Sequence, residues 1–302
     1  MASLRQIKQR LRSIQSTKQI MRAMQLVSGS KLKRAQGKLV QARSVLEFLD
    51  GLLQRVLATQ DGPVAHPLLS GTPAPRHTGT PVLVLFTSDT GLCGSYNTNL
   101  IHLAESYLHR DTFKQAQIIY IGKKGHRYFT KRGYAAAGSY LDLAGRPDLA
   151  KAESIGRALM QRFLSGQVGS VHLLYSQFVS AMTYRPTVLQ WLPITLETTS
   201  ATRDTPRRGV RRQATAGEEY IFEPSPQRVF EDLLPRRAMA TFQLVMLEAF
   251  TSEHSARMIA MKNATDNAEE LLGELTMQRN KIRQATITKE LSEIVGTAEA
   301  LK

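Results

Sequence analysis

The chain has 302 residues, with 40 Lys and Arg against 25 Asp and Glu, a formal charge of +15. Apolar residues at 42% and charged residues at 22% belong to a folded chain and exclude disorder throughout, and no stretch approaches the ~20 consecutive apolar residues of a membrane-spanning helix. A single cysteine, Cys93, excludes an internal disulfide and any multi-cysteine metal site, and seven His leave few candidates for a His-based one.

The positive charge is concentrated. Residues 1–50 hold eleven basic and two acidic side chains, and Arg203, Arg207, Arg208, Arg211 and Arg212 face only Asp204 in a second cluster. Residues 236–302 balance, with nine of each sign. A basic, acid-poor N-terminus also fits an organelle transit peptide, but its periodicity starts at Leu4 and runs past any plausible cleavage point, so it is read as structure.

The first predicted element is a long helix. Its 3/4 spacing reads Leu4, Ile7, Leu11, Ile14, Lys18, Met21, Gln25, Ser28, Leu32, Ala35, Leu39, Ala42, Leu46, Leu49, Leu53, Val56, and thirteen of these sixteen are apolar. A heptad held this long makes a narrow seam for a partner helix. The first Pro is Pro63, so nothing breaks the helix before it, and about 55 residues would span roughly 80 Å. Such a helix is expected to project. Lys18, Gln25 and Ser28 fall together in the seam; they either loosen it there or mark where the coil unzips.

Residues 61–81 are rich in Gly, Pro, Ser and Thr and read as a loop. The continuous apolar runs Val82–Phe86 and Gln117–Gly122 are predicted strands buried on both faces, with further strands at Val171–Val179 and Thr187–Leu192. Helical spacing at Thr98–His109 and Pro147–Leu164 falls between them, which predicts a parallel sheet with crossover helices. Residues 198–217 are polar and basic and are expected to form a mobile insertion. Pro224 and Pro226 suit a helix start, and Pro235 is expected to separate a short helix from a long one. In the long one, Met261, Ala264, Ala268, Leu271, Leu275, Ile282 and Ala285 keep the spacing, with Gln278 as a polar member. Ile287, Leu291, Ile294 and Ala298 continue it in a shifted phase. The expected fold class is α/β: a long antiparallel coiled coil of N- and C-terminal helices plus a central Rossmann-like α/β domain. The expected division is 1–60, 61–224 and 225–302.

Chemical motifs are sparse. No Walker phosphate loop, dinucleotide G-x-G-x-x-G or H-E-x-x-H occurs. Gly122-Lys123-Lys124-Gly125 follows a strand but lacks the Ser or Thr a phosphate loop needs. The loop Thr87–Leu100 (TSDTGLCGSYNTNL) places Cys93 between Gly91 and Gly94. It reads either as a nucleophile turn, with His102 the only nearby His, or as a tight turn that packs Cys93 as a small apolar side chain. The second is favoured, since no third partner is spaced for a triad.

The runs Ser13–Ala35 (SIQSTKQIMRAMQLVSGSKLKRA), Ser88–Gly94 (SDTGLCG), Glu253–Ala268 (EHSARMIAMKNATDNA) and Arg283–Val295 (RQATITKELSEIV) resemble the γ subunit of F-type ATP synthases, from end to end of the chain. The resemblance implies a central rotor shaft without a catalytic site, cofactor or metal of its own. Its two terminal helices would stand inside a ring of α and β subunits, and its α/β domain near the ε subunit and the c-ring. It implies that Met24, Arg257, Gln284, Thr288 and Glu290 meet the catalytic ring, with Lys18 and Arg10 as weaker candidates. Tyr220, Ile221, Phe222 and Glu223 would lie near the c-ring and ε. It further implies a peripheral membrane protein on the cytoplasmic face of a bacterial inner membrane. Two departures stand out. Thr90 occupies the place where the family loop usually carries Arg, and the 198–217 insertion is long and basic. That insertion contains no Cys, so it cannot carry the dithiol switch of chloroplast members; it is expected to be solvated rather than held on anionic lipid. Competing expectations are a nucleic-acid-binding protein with a basic helical arm, which lacks a recognition motif and interleaved aromatics, and a Cys93-dependent enzyme.

Overall fold

The computed structural model describes residues 4–59, 65–70, 79–143, 148–195 and 222–300, with side chains described as far as residue 297 in the last range. The insertion at 198–217, Tyr220 and Ile221 lie outside the described residues. The chain forms two compact units. One combines Met1–Ser30 with Arg257–Lys302; the other runs from Lys31 to Ala256.

Helix α1 spans Leu4–Ala58. In the second unit it is followed by β1 (Thr80–Phe86), α2 (Tyr96–Leu108), β2 (Gln117–Ile121), α3 (Lys123–Thr130), β3 (Ala136–Tyr140), α4 (Leu149–Leu164), β4 (Val168–Phe178) and β5 (Tyr184–Leu192). Helix α5, Pro226–Ala300, closes the chain.

The sheet order is β3-β2-β1-β4-β5. The first four strands run parallel, whereas β5 is antiparallel to β4. This corrects the all-parallel expectation. Residues 179–183 are too short for a crossover, and a tight turn, with Val179 and Ser180 N–H donating to the Thr183 carbonyl, folds β5 straight back. As an edge strand, β5 tolerates Pro186.

The apolar run of β1 is continuous because both faces are covered. Val82, Val84 and Phe86 point into one core with Ile119, Val171, Leu173 and residues of α1, α4 and α5. Leu83 and Leu85 point into the other with Ile118, Tyr120, Leu174, Phe129 and α2. Successive strand residues face opposite ways, so a strand between two cores has no polar alternation to show.

Pro235 lies inside α5 rather than between two helices. It forfeits one backbone bond near the helix start. Phe230, Leu234, Ala238, Phe242, Val245 and Ala249, spaced by three and four on either side of it, are buried in the core and hold the helix through the proline. Two donors fix α5 further: Trp191 Nε1 donates to the Ala238 carbonyl at 2.8 Å, and the Tyr96 hydroxyl to the Ala249 carbonyl at 3.0 Å. Asp148 caps α4, its carboxylate accepting from the Ala150 and Lys151 amides.

Candidate partner-contact surfaces

In the first unit the two terminal helices pair antiparallel. Gly29 faces Met258, whose Sδ lies 3.5 Å from where a Cβ would be. Eleven residues back along α1, Lys18 Nζ lies 3.1 Å from Glu269, which is eleven residues forward along α5. All sixteen heptad positions of α1 are buried or half-buried, across both units. Ser28 is buried, and Lys18 and Gln25 are half-buried. The seam does not open at these polar positions, because beyond them Ile7 is still only 1% exposed. Lys18 lays its stem in the seam and carries its ammonium out to exposed Glu269.

The covered stripe of α5 differs from the expected one. Met261, Ala264, Ala268, Leu275 and Ile282 are covered as expected, but Leu271, Gln278 and Ala285 are exposed, and Leu272 and Arg279 are half-buried in their stead. The stripe returns every eleven residues, Met261 to Leu272, Ala264 to Leu275 and Ala268 to Arg279. An eleven-residue return lacks the left-handed drift of a strict heptad.

The residues expected to meet the catalytic ring are not in one environment. Met24 is half-buried and Arg257 is buried, while Gln284, Thr288 and Glu290 are exposed. From Arg283 to Thr297 every residue of α5 is exposed. Extended from Lys18–Glu269, the register places Leu4, the first described residue of α1, beside residue 283. At ~100° per residue, Gln284, Thr288, Leu291 and Val295 share one face. Glu290 lies well away from it, so these three are not gathered into one patch. Leu291 is 58% and Val295 60% exposed.

Exposed Ile20, Leu26 and Val27 on α1 were not among the expected contacts. Their signal was available: they are apolar residues off the heptad phase. At the other expected surface, Phe222 packs partly against the core of the second unit and Glu223 is exposed.

The Cys93 loop is knitted shut. Cys93 is 2% exposed, and its Sγ accepts a hydrogen bond from Asn97 Nδ2 at 3.1 Å. Asn97 Oδ1 accepts from the Ser88 amide. Leu92 takes a left-handed conformation (φ 62°), with Gly94 two residues on (φ 56°). This is the packed-turn geometry. The Gly122–Gly125 segment is likewise occupied from within. Asp89 accepts from the Lys123 amide, the Ser88 carbonyl from the Lys124 amide and Thr87 Oγ1 from the Gly125 amide. The first amides of α3, where a phosphate would sit, already have partners. Gly122 is required: its φ is 102°, and a Cβ would fall 2.0 Å from the Thr87 carbonyl oxygen. Among the described residues no group of three His, Cys, Asp or Glu could hold a metal ion.

The second unit also buries charge. Glu248 accepts from Arg43 Nη2 at 2.5 Å, and Arg237 Nε donates to Asp50 at 2.6 Å. Burial raises the Glu248 carboxyl above the usual carboxylate range, against the pull of Arg43 and the Tyr175 hydroxyl.

The family model described as ATP synthase matches residues 3–301. The ATP synthase gamma chain of Anaeromyxobacter dehalogenans is 40% identical over 305 residues, covering 100% of both chains. That of Symbiobacterium thermophilum is 41% identical, covering 98% of this chain and 97% of its own. The chain belongs to the ATP synthase gamma chain family.

Solved structures agree on the fold of this gamma-family chain. A chain of the Euglena gracilis mitochondrial ATP synthase assembly of OSCP, F1 and c-ring aligns with TM-score 0.64 at 18% identity, over 99% of this chain and 94% of its own. A chain of the Tetrahymena thermophila mitochondrial central stalk and c-ring aligns with TM-score 0.55 at 20% identity, over 81% of this chain and 99% of its own.

Proposed function

We propose that the chain is the central-stalk rotor of an F-type ATP synthase and carries no catalytic site of its own. The observation that bears most weight is the antiparallel pair of terminal helices in a chain matched from end to end by gamma chains. The pair closes its own seam yet leaves Ile20, Leu26, Val27, Leu291 and Val295 in solvent, which suits a helix pair clasped by other subunits. The partners are the α and β subunits of the catalytic ring, the ε subunit and the c-ring. Rotor angle biases the nucleotide affinity of each catalytic subunit in turn, a coupling free energy between distant sites.

Met24, Arg257, Gln284, Thr288 and Glu290 are the proposed contacts with the ring, and Tyr220, Ile221, Phe222 and Glu223 those with the c-ring and ε. Of these, Gln284, Thr288 and Glu290 are already exposed, Met24 is half-buried and Arg257 is buried. No described helix is long and apolar enough to cross a membrane. We place the chain on the cytoplasmic face of a bacterial inner membrane, held there by its partners. The test is reconstitution. Mixed with α and β subunits, the chain restores ATP hydrolysis that it does not perform alone. A complex lacking the chain yet showing normal coupled synthesis would refute the proposal.

A further inference from the structure

The apolar seam alone does not define how the two terminal helices register. In the second unit α1 presents Leu32, Leu39, Leu46 and Leu53, each buried and each seven residues from the next. Sliding the partner helix by one heptad sets it against leucines again, about 10 Å along the axis. Register must be specified by something that does not repeat.

Two ion pairs between α1 and α5 do not repeat with the leucines. Arg43 and Asp50 also lie seven residues apart on α1, each one place beyond a seam residue, Ala42 and Leu49. Their charges are opposite. On α5, Arg237 and Glu248 lie eleven residues apart, about three turns, and so share a face. In the native register Asp50 takes Arg237 at 2.6 Å and Arg43 takes Glu248 at 2.5 Å. A one-heptad slip in one direction carries Arg237 from Asp50 to Arg43, cation against cation. A slip in the other direction carries Glu248 from Arg43 to Asp50, anion against anion. Burial sharpens the penalty, because the side chains of Glu248 and Arg237 are only 6% and 10% exposed. Arg43 also donates to the Phe178 carbonyl at 3.0 Å, which ties the lock to β4.

We propose that Arg43–Glu248 and Asp50–Arg237 form a two-way register lock that stops α1 and α5 from slipping past each other by a heptad. The lock deepens the rotor function proposed above, since a helix pair under torque stores twist only while neither helix slides.

The test uses the full chain assembled with its partner subunits. Spin labels at Lys38→Cys and Asp232→Cys, in a Cys93→Ala background, are offset along the helices, so a slip is read nearly in full. Asp50→Asn removes one pair without offering another and keeps the single native distance. Asp50→Arg repels Arg237 and, one heptad away, attracts Glu248. It adds a second distance about 10 Å from the first, or prevents assembly. Adding Arg237→Glu restores the single distance and assembly. The lock is overturned if Asp50→Arg shows the native distance alone, or if Arg237→Glu fails to restore what Asp50→Arg lost. Reduced coupling at an unchanged distance also overturns the lock and leaves the rotor function standing.

Discussion

His172 sits half-buried on β4, with the Phe113 ring edge-on at 4.9 Å. Burial pushes its pKa down to about 4. The unfolded chain takes up a proton near pH 6.5 that the folded chain refuses until about pH 4. Stability from this group is therefore complete above pH 6.5 and is lost as pH falls through that window. The slope is at most about 1.4 kcal/mol per pH unit for the one proton. Denaturant titrations at several pH values should show His172→Gln flattening this decline; an unchanged slope would contradict the assignment. Cys93 is a packing residue. Cys93→Ala should leave assembly and ATP turnover at wild-type levels and lower stability by about 1 kcal/mol, and loss of turnover in a folded variant would revive the nucleophile. Trp191→Phe removes the donor to the Ala238 carbonyl while keeping most of the ring. It should cost about 1–2 kcal/mol by chemical denaturation, and no loss would mean that the bond carries no weight.

At the level of elements, Lys18 is the weak place in the seam. Its pair with Glu269 joins a largely covered side chain to one 70% exposed, worth under about 1 kcal/mol. Lys18→Leu should therefore raise the melting temperature of the chain; a fall would show that the ammonium is better placed than apolar packing could be. The long helices and the β1 and β2 strands were legible in the sequence, because a heptad and a doubly buried apolar run leave unambiguous patterns. Strand β3 was not: Ala136–Tyr140 reads AAGSY, an edge strand too small and polar for any apolar signal. Helix α3 is eight residues long, with Gly125 inside it, and shows too few turns for a period to register. The sense of β5 depends on the five-residue turn before it, not on its own residues. Leu271 looked like a seam residue because a heptad and an eleven-residue return agree near Met261 and part company one turn beyond Ala268. The proposed contact residues rest on family resemblance alone. A side chain that waits for a partner leaves no period in its own chain, and Glu290 illustrates this by lying off the face shared by Gln284 and Thr288.

For the whole molecule, most of the basic excess falls in residues 1–50, and Arg5, Lys8, Arg10, Arg12 and Arg22 of α1 are exposed. Together with the uncovered apolar residues they suit a sleeve of other subunits, and ion pairs of this exposed kind are weak enough to break at every turn. Leu291→Ser with Val295→Ser removes apolar surface that the isolated chain leaves in solvent. Its helicity and melting should stay at wild-type values while its affinity for the α and β ring falls; unchanged affinity would clear that face of a bearing role. A chain that is the proposed rotor must turn. With the ring fixed to a surface and a probe on Lys131→Cys in the Cys93→Ala background, adding ATP should drive the probe in one direction at a rate that follows ATP concentration. ATP hydrolysed by the same complexes while the probe stays still would contradict it.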